Sequence, residues 1–256
     1  MNDKTYLAEL DAQSRVKQEE FFDHIASRLQ RPRQKTAPIR TLKGAPEDWD
    51  RYELSLEARI TQFEKHWELA GGHAHRLAAM KDAVLLIQDM VRHTEAKHLV
   101  MQDQPELEPI QTALLRTMEE LQREEQQDIN LTIWNAHGLD DAAKGRLVAA
   151  AAQADIGITA AHAAVSYTGS VVLPSSETSG RTVSLLPTML IVIIPVSRLK
   201  TRLGEVLRPM DEWPLAERPA GVHFVSGPSR SADIENDLTI GVHGPGIVHA
   251  LLIEEA

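Results

Sequence analysis

From residue 50 onward the apolar residues keep changing their period, and this alternation constrains the fold more than any single motif does. Leu56, Ile60, Phe63 and Trp67 fall at i, i+4, i+7 and i+11, a helical stripe that Gly71-Gly72 closes, since glycine readily supplies a left-handed cap. A short strand through His75 and Leu77 follows. Val84, Ile87 and Val91 then mark a second helix, KHLVM (97–101) a strand, and Ile110, Leu114, Met118 and Leu121 a third helix. INLTIW (129–134) reads as the next strand and the alanine-rich stretch 140–152 as another helix. Strands joined through helices by short loops need crossover connections, which favour parallel pairing under helical cover. The expected fold class is therefore α/β, an open, mostly parallel sheet with helices on both faces.

The C-terminal half keeps more strand. Residues 164–173 form an apolar run interrupted at Thr168-Gly169, and MLIVII (189–194) is a continuous run suited to a fully buried strand that Pro195 stops. The spacing of Leu199, Leu203 and Val206 predicts a helix over 196–207, and residues 222–225 and 247–253 read as further strands. Ahead of all this, residues 1–49 form a different region. A short helix is expected over 16–29, with Phe21, Phe22, Ile25 and Leu29 on one side, followed by an arm punctuated by Pro32, Pro38, Gly44 and Pro46. The expected organisation is this helical arm followed by one α/β domain, 50–256.

Charge and cysteine content exclude several function classes. With 27 basic and 37 acidic residues the chain carries a net charge of −10, which disfavours a general nucleic-acid surface. Against that background residues 28–43 hold six basic and no acidic side chains. Arg31, Arg33 and Lys35 are the candidate docking residues of this arm, for an acidic surface on this protein or on a partner. There is no cysteine, hence no disulfide, thiol nucleophile or Cys-ligated cluster in this chain. No apolar stretch is long enough to span a membrane and the first residues lack a signal-peptide pattern, so a cytoplasmic protein is expected.

Three C-terminal segments carry possible chemistry. GPSRSADIE (227–235) follows the strand GVHFVS and offers Ser229, Arg230, Ser231 and Asp233, a place where an anion can bind above the carboxyl edge of a sheet. The same residues also suit helix capping, with Ser231 as N-cap and Asp233 and Glu235 in the first turn. GVHGPG (241–246) is a tight turn with His243 at its apex, a candidate acid, base or hydrogen-bond donor. SYTGSVVL (166–173) presents Thr168 and Ser170 at a sharp turn, and Arg181 and Ser184 in RTVSLLP stand just ahead of the buried strand. Among eleven histidines only His73 and His75 make a close pair, with no third ligand nearby. No metal site is expected. HExxH, GxSxG, GxxxxGK[ST] and GxGxxG are all missing.

Taken in order, LQRPRQ (29–34), ADIGITAAHAAVSYTGSVVL (154–173), RTVSLLP (181–187), VSGPSRSADIE (225–235) and GVHGPG resemble the bacterial lactate-utilisation family, specifically the LutC/YkgG group that carries the LUD domain. The resemblance covers most of residues 15–256 and is strongest over the last hundred. It departs at Ser170 and Ser231, where the family usually has threonine. It implies a fold similar to ribose-phosphate isomerases and CoA transferases. It also implies a place in a three-protein system that oxidises L-lactate to pyruvate, whose other members are cysteine-rich and bear iron–sulfur clusters.

The leading expectation is a cluster-free subunit of such a system, without a cofactor of its own, holding a small carboxylate or acyl ligand near Ser229, Arg230 and His243. Two alternatives stay open: a stand-alone enzyme acting on a phosphorylated sugar or acyl-CoA, and a regulatory or scaffold module that grips a partner through the basic arm.

Overall fold

A computed structural model describes residues 3–33, 35–36, 51–94, 96–124, 128–232, 238–240 and 243–255. The chain divides into two compact units, 1–50 and 51–256. In the first, helix α1 (Asp3–Arg28) begins well before the expected start at residue 16. Its N-terminal half is built from good helix formers with an Arg15–Asp11 pair one turn apart, but it has no apolar stripe for periodicity to reveal. The helix ends where Gln30 adopts a left-handed φ of 50° and the Arg31 amide donates back to the Ala26 carbonyl at 3.2 Å. The reversed chain lays Arg33 on its own helix. Its guanidinium donates to both Glu19 oxygens at 2.5 and 2.8 Å, reaches Asp23 at 3.4 Å and sits 5.0 Å over the Phe22 ring. Arg31 and Lys35 stay exposed, and the basic residues Arg40 and Lys43 lie outside the described residues.

The second unit runs α2 (Leu56–Leu69), β1 (His73–Ala79), α3 (Met80–His93), β2 (His98–Gln102), α4 (Glu108–Glu124), β3 (Asn130–Trp134), α5 (Asp141–Ala152) and β4 (Ile156–Ala160). It continues through β5 (Ala163–Val165), β6 (Ser170–Pro174), α6 (Thr182–Leu185), β7 (Met189–Pro195), β8 (Leu199–Lys200), α7 (Gly204–Asp211), β9 (Val222–Val225), β10 (Arg230–Ala232), β11 (Leu238–Ile240) and β12 (Ile247–Glu255). Six strands pair in parallel in the order β1-β12-β7-β4-β2-β3. A four-stranded sheet, β8-β5-β6-β9, and the antiparallel pair β10-β11 complete the strands among the described residues.

Alternation along the central strands sorts the core into two layers. Leu99, Met101, Ile156, Ile158, Ile191, Ile193, Leu251 and Ile253 face α3 and α4. Leu190, Val192, Ile194, Val248, Ala250 and Leu252 face Ile60, Phe63 and Trp67 of α2 together with Val171 and Leu173 of the small sheet. Each fully buried aliphatic chain contributes about 1.5–3 kcal/mol, which makes β7, buried at every position, the centre of the fold. The expected α/β sheet with helices on both faces is thus what forms, with a small antiparallel sheet added on the α2 side.

Two local expectations are corrected. Residues 196–207 are not one helix: Val196–Arg198 is a 3-10 turn, Leu199–Lys200 pairs with β5, and α7 starts only at Gly204. Leu199 is buried by that strand pairing, so its helical spacing from Leu203 and Val206 is coincidental. Likewise Ser231 caps no helix, because Arg230–Ala232 is a strand paired with Leu238–Ile240.

Candidate functional site at the carboxyl edge of the sheet

After β2 the chain crosses to β3 on one side, and after β4 it proceeds to β7 on the other. The two connections leave in opposite directions, so the carboxyl ends of β2 and β4 flank the switch point where open α/β sheets bind ligands. The β2–β4 ladder ends at Met101 and Ile158, and side chains bridge the strands beyond it. The Thr159 hydroxyl donates to the Gln102 carboxamide oxygen, and the Gln102 amide group donates to the Gly180 carbonyl at 3.3 Å. Gln104 donates to the Ala160 carbonyl at 3.2 Å and accepts from its amide at 2.8 Å. Gln102 and Thr159 are buried, and these bonds meet the need of buried polar groups for partners.

Above this lies a second group. Arg198, just past β7, reaches across β4, donating to the Ala161 carbonyl at 2.8 Å and to the carboxylate of Glu106 beyond β2. Burial works against ionisation of Glu106, but the hydrogen bond and charge of Arg198 outweigh it and hold the carboxyl below its usual range. His162 follows Ala161 directly, its ring edge-on to Trp213 with centroids 5.5 Å apart. His162 is exposed on one side; its partial burial, reinforced by the Arg198 cation, lowers its pKa and so favours the neutral imidazole.

Beside these residues, a strap of residues 175–181 crosses the ends of β2 and β3. The amides of Ala136 and Asp103 donate to the Glu177 and Thr178 carbonyls at 2.8 and 3.1 Å, and His137 meets the Glu177 carboxylate at 2.6 Å. Asn135 donates to Asp103 at 2.7 Å. Gly180 lies on the Trp134 indole so closely that a β-carbon would overlap it. Arg181 closes this strap and is exposed.

The other expected site residues stand at the opposite, amino edge. The Ser229 amide donates to the Pro245 carbonyl at 2.9 Å, its hydroxyl donates to the His243 carbonyl at 2.9 Å, and Gly246 binds Thr188 just ahead of β7. Ser170 donates to the Thr168 hydroxyl at 2.8 Å and meets Ser226 at 2.6 Å. The structure therefore joins the TGS, GPSRS and GVHGPG segments and leaves Arg181 apart from them. The expectation that GPSRS lies above a carboxyl edge is corrected. β9 pairs antiparallel with β6 in the small sheet and delivers the loop to the C-terminal end of α2. There the Arg230 guanidinium donates to the Ala70 carbonyl and lies beside Gly71, whose φ of +87° forms the helix cap. A cation at that position answers the negative end of the helix. His243 is exposed, and Asp233 lies outside the described residues.

His73 and His75 do have a third histidine nearby. His249 stacks on His73 with centroids 4.8 Å apart, and its Nδ1 lies 3.0 Å from His75 Nε2. Burial first, then its two neighbours, lower the His249 pKa to about 4. Among the described residues, no group of three His, Asp or Glu side chains is arranged to hold a metal ion.

Gln104, Glu106, His162 and Arg198 are the residues that sequence reasoning missed. The one available signal is position, since all four lie within four residues of the end of an apolar strand run, but Asp103 and Ser197 share that position and nothing in one sequence sets the four apart.

Comparison with known proteins places these features in a family. The sequence model of the LUD domain matches residues 60–253. A lactate utilization protein C of Shouchella clausii is 31% identical over 238 residues, covering 88% of this chain and 92% of the relative. The protein of that name from Bacillus velezensis is 30% identical over 93% of this chain and 96% of its own length. One from Halalkalibacterium halodurans reaches 48% identity over 112 residues, 43% of this chain and 49% of the relative. A crystal structure of a DUF162-family protein from Deinococcus radiodurans superposes with a TM-score of 0.53 at 18% identity, covering 78% of this chain and 99% of that one, which establishes likeness of fold. The chain belongs to the LUD-domain family and, within it, to the lactate utilization protein C group.

Proposed function

We propose that this chain is the cluster-free component of a cytoplasmic bacterial lactate-utilisation system and works with cysteine-rich, iron–sulfur partner proteins that oxidise L-lactate to pyruvate. The observation that carries this reading is its similarity, along nearly the whole chain, to proteins named lactate utilization protein C. The absence of cysteine agrees with a division of labour in which thiolate-bound clusters sit in other subunits. The exposed Arg31 and Lys35 remain available to an acidic partner, whereas Arg33 is bound to its own helix.

Deletion of the gene in its host, followed by growth on L-lactate as sole carbon source, tests the reading. Loss of growth restored by the wild-type gene supports it. Normal growth with no second copy present refutes it.

A further inference from the structure

We infer that the carboxyl edge spanned by Arg198 binds a small monocarboxylate with an oxygen on its second carbon, a 2-hydroxy or 2-oxo acid, Arg198 taking the carboxylate and His162 the second oxygen. The inference deepens the functional reading above and rests on it for the class of acid.

The geometry supplies a donor set already in position. Arg198 has five N–H donors, of which the Ala161 carbonyl and Glu106 occupy one each. Among the described residues the other three have no acceptor, and they are enough for two charge-assisted bonds to one carboxylate. The two existing bonds tie the guanidinium to residues beyond β4 and β2, so its orientation is set before any ligand arrives. This removes part of the ordering cost that binding otherwise carries.

Glu106 also determines what the site rejects. It balances the guanidinium charge, so a doubly charged phosphate would meet a carboxylate as well as a cation, whereas a monocarboxylate needs only hydrogen-bond geometry and one charge. The site therefore disfavours phosphorylated sugars.

His162 supplies the second contact. It follows Ala161, whose carbonyl Arg198 holds, and its ring makes no hydrogen bond among the described residues while lying edge-on to Trp213. A neutral imidazole can accept from a hydroxyl through one nitrogen or donate to a keto oxygen through the other. Trp213 adds an apolar wall for the alkyl end of the acid. All these groups stand at the switch point of the parallel sheet, beside the split that Gln104 bridges.

The test uses the full-length chain with labelled histidine and follows the ring resonances by NMR during titration with L-lactate, D-lactate, pyruvate, propionate and inorganic phosphate. A saturable shift of His162 with L-lactate or pyruvate is expected, with phosphate at least tenfold weaker. R198Q should raise the Kd for all the acids at least tenfold. H162F should raise the Kd for lactate about fivefold and leave that for propionate unchanged, a split that general loss of structure cannot produce. Should R198Q fail to fold, R198K replaces it, since it keeps the charge, loses the planar fork and should weaken binding to a similar extent. Absence of saturable binding by any acid, equal binding of phosphate, or wild-type affinity in both variants overturns the site. If none of the acids binds yet deletion abolishes growth on lactate, the site is refuted and the pathway role stands. Binding without a growth defect supports the site and refutes the pathway role.

Discussion

The carboxamide of Gln104 stands in for a strand residue beside Ala160, meeting both the carbonyl and the amide of that residue at 3.2 and 2.8 Å. Ala160 is 1% exposed, so neither group can turn to bulk water when the side chain is removed. Gln104→Ala should cost about 1–3 kcal/mol. The denaturation midpoint should fall while the denaturant slope stays constant.

Acid should loosen the pairing of β1 with β12. His249 has a folded pKa of about 4, below its ordinary value of 6.5, and His75 is shifted the same way, in each case chiefly by burial. The unfolded chain therefore takes up protons that the folded chain refuses, and stability is complete above the ordinary histidine value and declines as pH falls from 6.5 toward 4. With solvent screening allowed for, His249 accounts for about 1–2 kcal/mol of this loss. Unfolding curves at pH 7.5, 6 and 5 should converge for wild type and His249→Gln as pH falls. Parallel curves would contradict the assignment.

Arg230 is held by the end of a helix, and its removal should read as a stability change. Arg230→Ala removes the cation from the α2 terminus and should cost about 1 kcal/mol, lowering the Tm by about 2–4 °C. The variant should still restore growth of the deletion strain on lactate and should titrate with L-lactate as wild type does. Loss of growth with an unchanged Tm would return the GPSRS loop to the list of ligand sites.

Gly157 lies where α6 presses its backbone onto β4. A β-carbon there would run into the Val183 carbonyl oxygen and come within 2.8 Å of Pro187 Cγ, and neither atom belongs to a flexible side chain. Gly157→Ala should destabilise the domain by about 3 kcal/mol or more. Soluble yield and thermal unfolding would show this directly.

Most of the parallel sheet could be read from its residues, because the runs that build β2, β3, β7 and β12 are apolar enough to declare themselves and the helices between them carry regular stripes. The small sheet was harder to see. β8 has only two residues, too few for any period, and the strand 222–225 has the same pattern whether it joins a parallel or an antiparallel sheet. Misreading that one membership placed the GPSRS loop at the wrong edge. The site residues were hidden for a related reason. Gln104, His162 and Arg198 follow different strands, and only the neighbour relations β7-β4-β2, invisible in one sequence, bring them together.

The position of β12 determines the order in which the domain can be completed. Among the described residues β1 occupies an edge and pairs with β12 alone, His73 opposite His249, across more than two-thirds of the sequence. During synthesis α2 and β1 emerge early but have no sheet to join until the last of these strands has left the ribosome. Docking β12 closes both core layers at once, since Val248 and Leu252 seal one face while Leu251 and Ile253 seal the other. Such long-range closure is slow and leaves apolar surface exposed in the interval. Nascent chains stopped ahead of β12 should therefore be the form that depends on chaperones.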